Sequence, residues 1–227
     1  MKLQFAVLGV ALMLTGAASA QQLEGVTGHP ENALILTDPA KSAAGNYKLD
    51  PGHTSVVGRV LHGKTSFYTF RFDKIEGSYA YDPAHPEATK VDITIDPASI
   101  DSNFPRFDKR LAGPGFLDAG KYTTIHFVST GIKRTDMNHG TMAGTLSFHG
   151  VTKPVTLNVT FNGGGPVGRR ITMGYSATAT LNMPEYGMDI APHNIGDNVA
   201  LAIETEFTNQ DVKTDVEQVR RLQQRGQ

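Results

Sequence analysis

The chain has 227 residues, 39% of them hydrophobic and 19% charged, and 21 Lys+Arg against 22 Asp+Glu leave a formal net charge of -1. That length supports one domain with a substantial core; the neutral balance, with no Lys/Arg stripe, excludes nucleic acid as a first partner. Cysteine is absent, which removes disulfides, thiolate metal ligands and cysteine nucleophiles together.

In chain order, the first signal is at the N-terminus. Lys2 precedes an almost wholly apolar run from Leu3 to Leu14, and Ala18-Ser19-Ala20 supplies small residues suited to a signal peptidase. A bilayer crossing needs about 20 apolar residues, so residues 1–20 read as a secretory signal peptide cleaved after Ala20. No later run reaches spanning length. The expectation is a periplasmic or secreted protein with no transmembrane segment after cleavage. Residues 21–46 form a lead-in with little pattern, where Ala33-Leu34-Ile35-Leu36 is either a strand or a surface clasp.

From Tyr47 onward the chain alternates. Short alternations occur at Val91-Ile93-Ile95, Ile125-Phe127 and Leu146-Phe148. Longer ones run through Val155, Leu157, Val159 and Phe161, and through Ile171, Met173, Tyr175, Ala177, Ala179 and Leu181. In the last, Val199, Leu201, Ile203 and Phe207 share one face, with Glu204 and Glu206 on the other. Period two with one dry face predicts antiparallel strands. One segment breaks the rhythm: Phe107 and Leu111 are four apart, Pro105 suits a first helical turn, and Gly113 ends it, which predicts a short helix. In the tail, 210–227, Val212, Val216, Val219 and Leu222 recur at helical spacing among charges.

About eight or more strands without a βαβ rhythm must hide their edges, by closing into a barrel or by forming a sandwich. Parity places Leu157, Val159, Met173, Tyr175, Ala177, Ala179, Leu201 and Ile203 on the dry side, as candidate cavity wall. Ala177, Ala179 and Gly144 are small enough to leave part of the interior unfilled.

The residues carry no nucleophile elbow, zinc helix, phosphate loop or dinucleotide fingerprint. Gly163-Gly164-Gly165-Pro166 reads as a hairpin loop, since no helix follows it. Eight histidines are present, but His53 and His62 have odd spacing, and His139, His149 and His193 fall in loops or strand ends. None forms a close metal-ligand pair, so neither a metal nor a cofactor is expected.

The run Gly144-Thr145-Leu146-Ser147-Phe148-His149-Gly150-Val151-Thr152-Lys153-Pro154-Val155 resembles the G-x-L-T-x-x-G-V-T-K-P-V signature of the YceI-like, polyisoprenoid-binding family. Tyr47-Lys48-Leu49-Asp50 with His53 and His62 is similar to that family's opening. Phe116-Leu117-Asp118, Tyr122 and Ile125-His126-Phe127-Val128-Ser129-Thr130 resemble its central segment. Tyr186-Gly187-Met188 and Ile195-Gly196-Asp197-Asn198-Val199 resemble its close. The order agrees from about residue 47 to 207. Departures are Gly58 in place of an aromatic, Thr54 in place of Ser, Thr123 in place of Pro, and Met183 in place of an Arg before the Tyr186-Gly187 turn.

The resemblance implies an all-β fold, an eight-stranded antiparallel lipocalin-like barrel over residues 47–209, to which the residues add the short helix and a C-terminal helical tail. It also implies a binding protein, not an enzyme, whose partner is a polyisoprenoid or isoprenoid-quinone lipid held in an apolar tunnel for transport, storage or sequestration. Two other readings stand beside it: a structural or stress-related barrel with a filled core, and a small-molecule enzyme using His53 or His62 as general base.

Overall fold

A computed structural model describes residues 35–167, 170–188 and 194–211. The signal peptide, most of the lead-in, His193 and the helical tail from Val212 lie outside the described residues. The strands are β1 (Gly45–Leu49), β2 (Ser55–His62), β3 (Ser66–Phe72), β4 (Ile75–Tyr81), β5 (Val91–Ile95), β6 (Ile100–Asp101), β7 (Ile125–Arg134), β8 (His139–Phe148), β9 (Val151–Val167), β10 (Arg170–Asn182) and β11 (Ile195–Asn209). One α-helix, α1 (Pro105–Leu111), lies between β6 and β7.

All pairings are antiparallel, and they close into a ring of eight staves. β1 and β2 run in the same direction along β11, so they form one broken stave; β3/β4 and β5/β6 form two more. Each stave pairs with its sequence neighbours, and β11 closes onto β1 and β2. The expected eight-stranded antiparallel barrel is therefore the observed fold.

The stave breaks have a sequence cause. Asp50-Pro51 and Asp96-Pro97 each open a 3-10 turn, where proline lacks the N–H that a ladder needs. The aspartates cap these turns, accepting from the Gly52 and Ala98 N–H groups. The break in the stave between them is tied in at the same level: the Lys74 N–H donates to Ser99 Oγ at 3.0 Å and the Asp96 N–H to the Lys74 carbonyl at 3.1 Å.

The Gly163–Pro166 stretch is not a hairpin loop. It lies inside β9 and pairs with Gly174, Met173, Thr172 and Ile171 of β10, past a bulge beside Tyr175. The glycines make this possible, because a β-carbon on Gly164 would stand 2.9 Å from Ser42 Oγ and 3.2 Å from Met173 Cγ. Leu36 bridges to Gly164 through two backbone hydrogen bonds of 2.8 and 2.9 Å, so this end of the lead-in clasps the barrel wall.

At the end where β1 starts, the interior beside β1, β4, β10 and β11 is packed solid. The Tyr47 and Tyr79 rings stack at 5.0 Å, Phe207 lies 4.8 Å from Tyr79, and Met173 is 0% exposed. α1 lies at the opposite end, with Leu111 buried and the Phe107 ring 5.4 Å from that of Tyr68.

Candidate functional site: an apolar cavity through the barrel

Above the packed floor the barrel encloses a cavity of about 520 Å³. Its wall is built from inward-facing residues of every stave, including Val56 and Val60 of β2, Phe70 of β3, Phe127 of β7 and Leu146 of β8. Alternation explains this, since a closed sheet has a single inner face and each strand gives it every second residue.

Six of the eight candidate wall residues line the cavity: Leu157 and Val159 on β9, Tyr175 and Ala177 on β10, and Leu201 and Ile203 on β11. Register brings Ala177 opposite both Val159 and Ile203. The other two candidates are not among the lining residues. Met173 is part of the floor, where the Tyr79 and Tyr175 hydroxyls reach its Sδ at 3.3 and 3.8 Å. Ala179, paired with Leu201, is half-buried outside the lining. Gly144 leaves no void, because the Phe127 ring covers it, Cε2 standing 2.3 Å from where a β-carbon would be.

The far wall was not read from the sequence: Tyr68, Phe70, Tyr79, Tyr81 and Phe127 all line the cavity. Their signal is the run Ser-Phe-Tyr-Thr-Phe-Arg-Phe in β3 and Tyr-Ala-Tyr in β4, where aromatics recur at period two. Three tyrosine hydroxyls here are held. Tyr79 and Tyr175 share a hydroxyl contact of 3.2 Å, and Tyr81 donates to the Pro39 carbonyl at 2.6 Å. Burial raises the Tyr79 and Tyr175 phenols above their ordinary value and pushes Tyr81 up to about 12, so all three stay neutral at physiological pH.

The two histidines considered as bases part company. His62 lines the cavity mouth beside α1. His53 is outside the lining, 65% exposed, with Nδ1 3.2 Å from Asp50 and 4.0 Å from Glu206. His149 holds the β8–β9 turn, with Nδ1 3.1 Å from the Tyr186 carbonyl. Among the described residues no group of three His, Asp or Glu is placed to hold a metal ion, and no helix is long and apolar enough to cross a membrane. An apolar tube of this kind can hold a long hydrocarbon chain and exclude water from it.

Of the sequence departures, Met183 is buried on the cavity wall, and Thr54 lines it with its hydroxyl donating to the Asp50 carbonyl.

Comparison with known proteins agrees with this geometry. A solved structure, Burkholderia cenocepacia BcnA, matches with a TM-score of 0.62 at 21% identity, covering 70% of this chain and 98% of that one. The structure of a polyisoprenoid binding domain from Saccharophagus degradans matches with a TM-score of 0.53 at 16% identity, covering 72% and 98%. At these identities the likeness shows the fold. In sequence, a UPF0312 protein of Pseudomonas putida strain F1 is 38% identical over 157 residues, which is 67% of this chain and 81% of the relative. A UPF0312 protein of Pseudomonas fluorescens strain SBW25 is 35% identical over the same length. The YceI-like domain model matches residues 47–207, nearly the whole ring of staves, and the chain belongs to the YceI-like family.

Proposed function

We propose that this protein binds a polyisoprenoid chain, or the isoprenoid tail of a quinone, inside the barrel, and carries or sequesters it without chemical turnover. The observation that supports this reading best is the continuous apolar cavity of about 520 Å³, bounded by side chains from all eight staves. Burying each CH₂ contributes roughly 0.8 kcal/mol, so even a short isoprenoid gains several kcal/mol before ordering costs. The Saccharophagus degradans neighbour, described as a polyisoprenoid binding domain, supports the same ligand class. Lys2, the apolar run and Ala18-Ser19-Ala20 support export, so the site of action is the periplasm or the exterior.

Organic extraction of the purified protein followed by mass spectrometry tests the ligand. An isoprenoid recovered at near-equal molar amount is the expected result; a protein that yields no lipid, and takes up none when offered, has a different role. Intact-mass measurement of the exported protein tests the compartment, with a chain starting at Gln21 expected and a retained Met1 excluding it.

A further inference from the structure

Among the described residues, charge on the cavity wall is confined to its two mouths and has one sign. Arg110 and His62 line the mouth beside α1, Arg134 and His139 line the opposite one, and among the described residues the lining includes no carboxylate. The mouths differ in what these groups already hold. Arg134 has Asp38 at 3.6 Å and donates to the Met137 carbonyl at 2.5 Å, while His139 Nδ1 is 2.9 Å from Asp136. That end is neutralised by its own acids.

Among the described residues, the α1 mouth is not. Among the described residues Arg110 has no ion pair, and its guanidinium carbon lies 5.6 Å from the centre of the Phe116 ring. Asp108, on the same helix, is engaged elsewhere, its carboxylate accepting from the Ser102 N–H at 2.8 Å and from the Ser102 hydroxyl. The His62 ring lies 6.5 Å from that of Tyr68, and its nitrogens make no hydrogen bond among the described residues. In either tautomer it offers one N–H. The rings of Tyr68, Phe107 and Phe116 follow one another at 5.4 and 6.4 Å, so the two basic groups are set along an aromatic rim.

We propose that the α1 mouth is the head-group end of the cavity, and that Arg110, assisted by His62, selects an isoprenoid chain ending in a phosphate over one ending in a neutral group. This rests on the isoprenoid reading of the cavity. A guanidinium presents a rigid fork of N–H donors that matches two phosphate oxygens, and a charge beside an apolar wall is screened less than one in open water. The tail then runs toward the Tyr79–Tyr175 floor, at the end where Arg134 and His139 already face Asp38 and Asp136.

The test uses the full chain stripped of lipid, with two probes of identical tail: geranylgeranyl monophosphate and geranylgeraniol. The phosphate is expected to bind about tenfold more tightly, the worth of one charge-assisted hydrogen bond. Arg110→Gln should abolish that preference, Arg110→Lys should keep part of it, and Arg134→Gln should keep it, whatever each does to the affinity for geranylgeraniol. Melting temperatures of the variants confirm that each is folded. Equal affinities in the wild type, a preference that survives Arg110→Gln, or one lost in Arg134→Gln overturns the assignment but leaves the isoprenoid reading intact. Failure of both probes to bind overturns the two together.

Discussion

The ring of Phe70 lies over Gly58, its Cζ 2.3 Å from where a β-carbon on the glycine would stand. The two residues are paired across the β2–β3 ladder; Phe70 lines the cavity, and Gly58 is buried between the lining residues Val56 and Val60. An aromatic from the neighbouring strand thus fills the space above the one small residue between Val56 and Val60. Gly58→Ala should push that ring toward the cavity and cost about 1–3 kcal/mol, the range for overpacking. Melting temperature and lipid stoichiometry check this; no change in either means that the ring swings aside freely.

Ala177 sits in the wall between Val159 and Ile203. Replacing it with Phe puts a ring into the cavity and not into packed protein, so bound lipid should fall sharply while the melting temperature barely moves. In a filled core the same change would cost about 1–3 kcal/mol. Lipid retained at full occupancy would show that the chain passes elsewhere.

Gly150 has φ +79°, and a β-carbon there would approach Tyr122 Cε1 at 2.6 Å. His149 before it is also left-handed, at φ 50°. Gly150→Val should therefore destabilise by about 1–3 kcal/mol through backbone strain alone, and the contact with Tyr122 adds to this. The site is far from the cavity wall in role: molecules that fold should hold lipid normally. Thermal melts with and without lipid decide the matter.

His53 and Asp50 make stability depend on pH. The hydrogen bond to Asp50, and then the charge of Glu206, raise the His53 imidazole above 6.5. Burial tends to raise Asp50, but the bonds from His53 and the Gly52 N–H outweigh it and hold the carboxyl below 3.8. The histidine contribution is whole below pH 6.5 and fades as pH rises through its folded value. The aspartate contribution is whole above pH 3.8 and is lost as pH falls through its folded value. Both act fully between those limits. Asp50→Asn keeps an acceptor for Gly52 but removes the charge, so the His53 titration followed by NMR should move down toward 6.5. An unmoved titration would show that Asp50 does not hold the imidazole.

The staves and the six wall residues on β9, β10 and β11 were legible because those strands are long and alternate without interruption. The opposite wall was not, because β3 to β6 are short and broken at Asp73-Lys74 and Asp96-Pro97, where period two loses phase. Met173 shows the limit of parity: it shares the inner face with Tyr175, but depth along the strand decides whether that face meets cavity or floor. The glycines at 163 to 165 misled for a related reason. Local composition reads as a turn, whereas Met173 and Ser42, distant in sequence, require small residues in an extended wall. Gly144 likewise promised empty space that Phe127 fills from the next stave.

Seven of the eight joints between staves connect neighbours in sequence, and the eighth joins the first stave to the last, where Asn46 meets Asp211 across 165 residues. Local hairpins can form as soon as their residues exist, whereas that last seam waits for β11. Until then the sheet is an open ribbon with two bare edges, one along β1/β2 and one along β10, each able to recruit a strand from another copy. The closing strand therefore governs solubility as well as shape. A chain that stops before Ile195 keeps nearly all of the cavity wall on β2 to β10, yet it should accumulate as aggregate instead of as a smaller lipid binder.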